Sequence, residues 1–152
     1  QSTVTLTTAS THYLLQSIFI PANTFVNGDA IYIKARGAKN TTGSTQRTIQ
    51  INTDTSSSTA GTQLGIYATS ASGNRYTVPI ERLLDITSTG TYGLEPTFSC
   101  VSDMTLQILA ASIVVPVTVD WTINRYINIL GLSSSPNVAM EIYSVEVWRY
   151  RP

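Results

Sequence analysis

The chain has 152 residues and 16.5 kDa, enough for one domain and short for two. Only 12% of it is charged, against about 25% in an average soluble domain, and nine Lys and Arg balance nine Asp and Glu. A net charge of zero excludes a basic nucleic-acid binder, which needs a surplus of Lys and Arg for phosphate contacts, and a polybasic membrane-surface protein. Ser and Thr together number 40, so hydroxyls carry the polarity that charges do not.

The opening Gln1-Ser-Thr-Val has no basic start and no signal-like apolar core, and reads as a piece of a longer natural chain, of which it could be the C-terminal part. Thr11-His-Tyr-Leu-Leu15 reads as strand. Asn27-Gly28, set between Phe25-Val26 and Asp29-Ala-Ile31, is a two-residue turn candidate of the hairpin kind, because both positions tolerate positive φ. The next stretch alternates with period two: Ile31, Ile33 and Ala35 on one face, Tyr32, Lys34 and Arg36 on the other. After a Gly/Asn/Thr-rich loop over 37–43, the pattern resumes with Ile49 and Ile51 against Thr48, Gln50 and Asn52. A Ser/Thr-rich loop spans 53–61, Gln63–Thr69 returns to strand, and 70–74 is again loop. Pro79–Asp85 has a helical flavour, but Tyr76-Thr-Val before it and Ile86-Thr after it favour a strand.

Beyond the 88–93 loop, Cys100 is the sole cysteine, which rules out an intrachain disulfide and a thiolate metal cluster and suits a small core hydrophobe. The longest apolar run, 108–117, is broken by Ser112 and Pro116 and falls short of the eighteen or so residues of a membrane-spanning helix. Val117, Val119, Trp121 and Ile123 share one parity, so one sheet face should hold all four and Trp121 should be core. A loop over 133–137 leads to the last β-rich run, 138–150. Its phase slips: Met140 and Ile142 fall on one parity, Tyr143, Val145 and Val147 on the other, and a bulge near 142–143 would reconcile them. The whole of 1–152 is expected to be one all-β domain of roughly eight to ten strands, a β-sandwich or jelly roll.

Catalytic signatures are sparse. A Ser-His-acid arrangement would have to use His12, and there is no G-x-S-x-G elbow. One His and one Cys cannot complete a tetrahedral zinc site in one chain, although copies of His12 could meet on a trimer axis. Asn52-Thr-Asp54 is the nearest approach to a calcium cluster and lacks its carboxylate density. Glu81 and Asp85, with Arg82 between them, read as surface charges rather than a hydrolytic carboxylate pair, and no phosphate-binding glycine loop occurs. The expectation is a protein without cofactor, metal or enzymatic activity.

Aromatics are the richer inventory, with eight Tyr, two Trp and three Phe, and Tyr67, Tyr76, Tyr92 and Tyr126 border loops. Tyrosine supplies flat, amphipathic contact area at low entropic cost. The best recognition chemistry lies around 70–76: Asn74 donates and accepts, Arg75 offers a planar donor fork, Tyr76 a stacking ring. A hairpin through 70–75 would bring Tyr67 beside Tyr76. Tyr67, Asn74, Arg75 and Tyr76 are therefore the candidate receptor-binding residues.

The segment 18–36, with its Ile-Pro-Ala-Asn-Thr run and Asn27-Gly28-Asp29 turn, resembles a hairpin found in tailed-bacteriophage virion proteins. Thr48–Thr53, Gln63–Thr69, Tyr76–Leu84, Asp120-Trp-Thr-Ile-Asn-Arg-Tyr-Ile127 and Tyr143–Val147 are similar to further strands of such proteins. The resemblance implies a jelly-roll head or tip domain of a tail fibre or other receptor-binding virion protein, with a tumour-necrosis-factor-like shape. It also implies a homotrimer without cofactor, located on the extracellular particle beside other virion proteins. Such a domain attaches to a host surface glycan or protein and neither binds nucleic acid nor inserts into membrane. A purely structural virion role, as capsid decoration or baseplate piece, is the alternative. The Asn27-Gly28-Asp29 turn and Asp120-Trp121 fall on scaffold positions of that pattern.

Overall fold

The computed structural model describes residues 2–39, 47–68, 76–87, 90–93, 107–108 and 116–151. Among them are eleven strands and no helix: β1 (Ser2–Leu6), β2 (Tyr13–Ile20), β3 (Ala30–Lys39), β4 (Arg47–Asp54), β5 (Thr62–Ala68), β6 (Tyr76–Thr87), β7 (Gly90–Gly93), β8 (Gln107–Ile108), β9 (Pro116–Val117), β10 (Arg125–Ser133) and β11 (Val138–Tyr150). They form two antiparallel sheets in a sandwich-like, all-β arrangement. One sheet has the order β1-β11-β3-β6-β7-β9 and the other β2-β10-β4-β5-β8.

Period-two alternation sets the interior. Ile31, Ile33 and Ala35 of β3 are buried while Lys34 and Arg36 are exposed, and Ile49 and Ile51 of β4 meet Ile127 and Ile129 of β10 in the same core. Each such buried side chain contributes about 1.5–3 kcal/mol relative to exposure, so these rows are the main source of cohesion. β6 is strand throughout, Pro79 included. Pro79 pairs with Arg36, whereas β7 meets β6 only at Leu84–Thr87, so proline's missing N–H falls where a described neighbour lies on one side alone.

The phase slip in the last run is a bulge. Ile142 pairs with Gly37 and Ser144 with Arg36, leaving Tyr143 as the extra residue. Val138, Met140 and Ile142 point inward before it, and Val145 and Val147 pack against the core after it.

Four expectations are corrected. The Val26–Asp29 turn exists, with Asp29 N–H donating to the Val26 carbonyl at 3.0 Å, but Asn27 does not share the positive φ of Gly28 (88°). That is the pattern of a type II turn. It joins no hairpin either, because β2 and β3 lie in different sheets. The strand expected over 117–123 stops at Val117. Val119 and Trp121 are buried as foreseen, but in a turn, and Ile123 is 42% exposed instead of sharing their face. There Asp120 accepts from Thr122 N–H (2.9 Å) and its hydroxyl (2.6 Å), so the side chain closes the turn, while Trp121 meets Phe25 edge-on at 5.2 Å. His12 precedes β2 instead of lying in a strand; it is exposed, 3.2 Å from Gln50 Oε1. Arg82, expected at the surface, is on the inner face and 3% exposed, its Nε donating to the Leu64 carbonyl at 2.9 Å.

Candidate functional site

Of the four residues expected to form a receptor site, Tyr67 lies in the core and not at the surface. β5 belongs to one sheet and β6 to the other, so the chain between Ala68 and Tyr76 links two sheets and makes no hairpin. Tyr67 is 2% exposed, and its hydroxyl donates to the Glu81 carbonyl at 3.0 Å. Burial pushes its phenol up to about 12. Its ring occupies space left by Gly65, where a Cβ would stand 3.3 Å from Tyr67 Cε2. Tyr67 is thus a core residue. Asn74 and Arg75 lie outside the described residues, as does Cys100, and of Tyr76 the backbone alone is described, paired with Lys39.

Asn52 and Asp54 hold a loop. Asn52 Nδ2 donates to the Ala60 carbonyl (3.2 Å), and Asn128, beside it on β10, donates to the Ser56 carbonyl (3.1 Å). Asp54 accepts from Ser58 Oγ at 2.6 Å and Thr55 N–H at 2.7 Å, and these bonds hold its carboxyl below the usual range. Residues 55–61 are thereby folded onto the outer face of the second sheet. Among the described residues no three His, Cys, Asp or Glu side chains converge as metal ligands would.

The concave feature with recognition chemistry lies on the outer face of the first sheet, near the Gly28 turn. It is a groove of about 850 Å³. Register across three strands builds it in rows. Glu146 of β11 stands opposite Lys34 of β3, and Lys34 opposite Glu81 of β6; in the next row are Trp148, Tyr32 and Leu83; in the last, Tyr150, Ala30 and Asp85. Adjacent strands are about 4.8 Å apart, so Tyr150 and Asp85 flank the small Ala30 across about 10 Å. The small Ala30 side chain leaves a depression in the groove between them. The bulge at Tyr143 is what turns Glu146, Trp148 and Tyr150 outward.

Trp148 is 57% and Tyr150 67% exposed, unusual for large aromatics on a sheet face. The Trp148 indole donates to Glu146 Oε2 at 3.2 Å, which fixes its orientation. Tyr32 donates to the Glu81 carboxylate, and its phenol is pushed up to about 12 by desolvation first and that bond second. The rim at the turn end is held by Asp29, whose side chain is 1% exposed. It accepts from Val26 N–H at 2.8 Å, and pairs with Arg149 at 2.8 Å and Arg151 at 3.1 Å. Sequence reading found none of this grouping. The alternation of β3 and the slip at Tyr143 together imply that Tyr32 and Trp148 share an outer face, but only the register makes them neighbours.

A second aromatic pair, Phe19 and Tyr126, meets at a tilt with ring centroids 5.3 Å apart on the outer face of the other sheet, and Phe19 is 48% exposed. Comparison of the chain with protein-family models, with curated proteins and with solved structures finds no match.

Proposed function

We propose that the chain is a jelly-roll attachment domain of a tailed-bacteriophage virion protein, binding a host surface molecule without covalent chemistry. The observation that carries this reading is the strand order. Within the larger sheets, β1-β11-β3-β6 faces β2-β10-β4-β5, and the chain crosses between sheets at most long connections. Such winding of eight strands into two four-stranded layers supports a jelly-roll reading, the architecture used by viral capsid and lectin domains. The sequence likeness to tail-fibre and receptor-binding virion proteins gives the architecture its context, and an open aromatic groove gives it a surface suited to adhesion.

A homotrimer on the extracellular particle is part of the proposal. Low charge lets identical subunits meet without large desolvation costs. Two exposed aromatic patches on opposite sheets leave one for subunit contact and one for a ligand. Light scattering across micromolar dilution should give three times the chain mass; a mass of one subunit throughout would refute the trimer. The attachment reading is tested by fluorescently labelled domain on a panel of bacterial strains, with unlabelled domain competing against phage adsorption. Saturable binding to some strains, with inhibition of adsorption, is expected. Absence of binding to every strain would favour a purely structural place in the particle.

A further inference from the structure

We propose that the groove on the outer face of the first sheet is a saccharide site, in which Trp148 and Tyr150 stack on a pyranose ring and Asp85 accepts its hydroxyls. This deepens the attachment reading and rests on it.

The chemistry of the walls selects the ligand. A pyranose has an apolar C–H face and a rim of hydroxyls, so it needs exposed aromatic rings beside hydrogen-bonding groups that stay polar. Trp148 and Tyr150 are 57% and 67% exposed, on one strand two residues apart, and so project from the same face. Asp85 stands across Ala30 from Tyr150, leaving a space the width of two strand spacings, about 10 Å. The groove's size, about 850 Å³, lies in the range of small-ligand sites. Pre-organisation is visible as well: the indole is held by Glu146, and Asp29 ties the Gly28 turn to Arg149, both of which line the groove.

Charge separates this ligand from others. Both signs occur along the lining and are paired: Lys34 stands between Glu146 and Glu81, Arg149 is bound to Asp29, and Asp85 faces Tyr150 across Ala30. Neither a polyanion nor a quaternary ammonium finds a one-signed field there, whereas the C–H face of a neutral sugar finds a mostly apolar lining with the Asp85 acceptor at its edge. A second copy of the chain seated on this face would bury the Glu146–Lys34–Glu81 row, and ionic groups removed from water cost more than they return unless well paired. A polyol leaves that row hydrogen-bonded.

The test uses the two tryptophans as they stand. Trp121 is 6% exposed and Trp148 57%, so acrylamide should quench Trp148 selectively. On a strain that the wild-type domain binds, extracted cell-surface polysaccharide should shield Trp148 from acrylamide, and periodate oxidation of the polysaccharide should abolish the shielding. Trp148→Ala and Ala30→Leu, the second filling the depression, should each lower binding to those cells at least tenfold with melting near that of wild type. Cell binding unchanged in both variants overturns the site while leaving attachment intact. Binding that survives periodate treatment of the cells overturns the saccharide class. Protection of Trp148 that rises with protein concentration alone, in step with mass, means a second copy covers the face and also overturns the site. Failure of the wild type to bind any strain removes the attachment reading itself.

Discussion

Replacing Asp29 with Ala isolates the clamp that joins the Gly28 turn to the end of β11. Three interactions are lost. The bond from Val26 N–H, 2.8 Å and part-buried, is worth about 1 kcal/mol as a net backbone hydrogen bond. The pair with Arg149, 2.8 Å and with the arginine side chain 34% exposed, is charge-assisted and worth about 1.5 kcal/mol. The pair with Arg151, whose side chain is 62% exposed, is screened by water and contributes at most about 0.5 kcal/mol. The arginines can turn to solvent once the carboxylate is gone, so no stranded-charge penalty is added. The sum is about 3 kcal/mol, which for a chain of this size lowers the melting temperature by about 6–12 °C. Urea titration of wild type, Asp29→Ala, Arg149→Ala, Arg151→Ala and the two double variants measures it directly. The coupling of Asp29 to Arg149 should exceed that to Arg151 by about 1 kcal/mol. An Asp29→Ala variant within about 0.5 kcal/mol of wild type, or equal couplings to both arginines, would refute the assignment of the clamp to buried geometry.

Trp121→Ala should cost about 3–5 kcal/mol, since it empties a core position packed edge-on against Phe25; unchanged melting in a denaturant titration would contradict that burial. Ser58→Ala removes the largest influence holding the Asp54 carboxyl low, so its titration, followed by carbon-detected magnetic resonance, should move up towards the ordinary carboxylate value. Because the folded value is depressed, the loop's stabilisation is present above the unfolded carboxyl pKa and lost as pH falls through the folded one, and in Ser58→Ala the loss should be smaller and complete at higher pH. Tyr32 and Tyr67 are both raised to about 12, so the folded state favours their neutral phenols. Their contribution is intact below the unfolded value near 10 and is lost as pH rises from about 10 towards 12. Melting should therefore drop steeply over that alkaline window, and less so in Tyr67→Phe; a flat profile would contradict the burial.

Period-two patterning was readable wherever a strand runs unbroken with one face buried, as in β3 and β4, because side-chain alternation is a local property of the chain. The slip at Tyr143 was readable for the same reason. Turn chemistry at Asn27-Gly28 indicated a reversal, but local dihedral preference says nothing about which sheets the flanking residues join. Tyr67 was misplaced because a tyrosine at a loop border reads the same whether its ring points out or in. The informative signal was Gly65, a missing side chain two residues back on the same face, which leaves room for the ring and for Arg82 Nε, 3.5 Å from where its Cβ would stand. The groove and the Asp29 clamp were out of reach altogether. Tyr32 and Trp148, or Asp29 and Arg151, 122 positions apart in the chain, meet only through strand order and register, which depend on the summed preferences of the whole chain.

The bulge at Tyr143 decides which side of β11 faces solvent. Point substitutions beyond it alter one side chain at a time, so the surface there can drift gradually under selection. Were the strand instead to pair straight through, with Tyr143 opposite Arg36, the two sides of everything that follows would interchange, putting Trp148 and Tyr150 where Val145 and Val147 now pack and casting the valines into solvent. Loss of the Tyr143 codon alone would close the bulge and leave Ser144 opposite Arg36, so lineages of this protein should tolerate a deletion there while varying freely in what the distal strand displays.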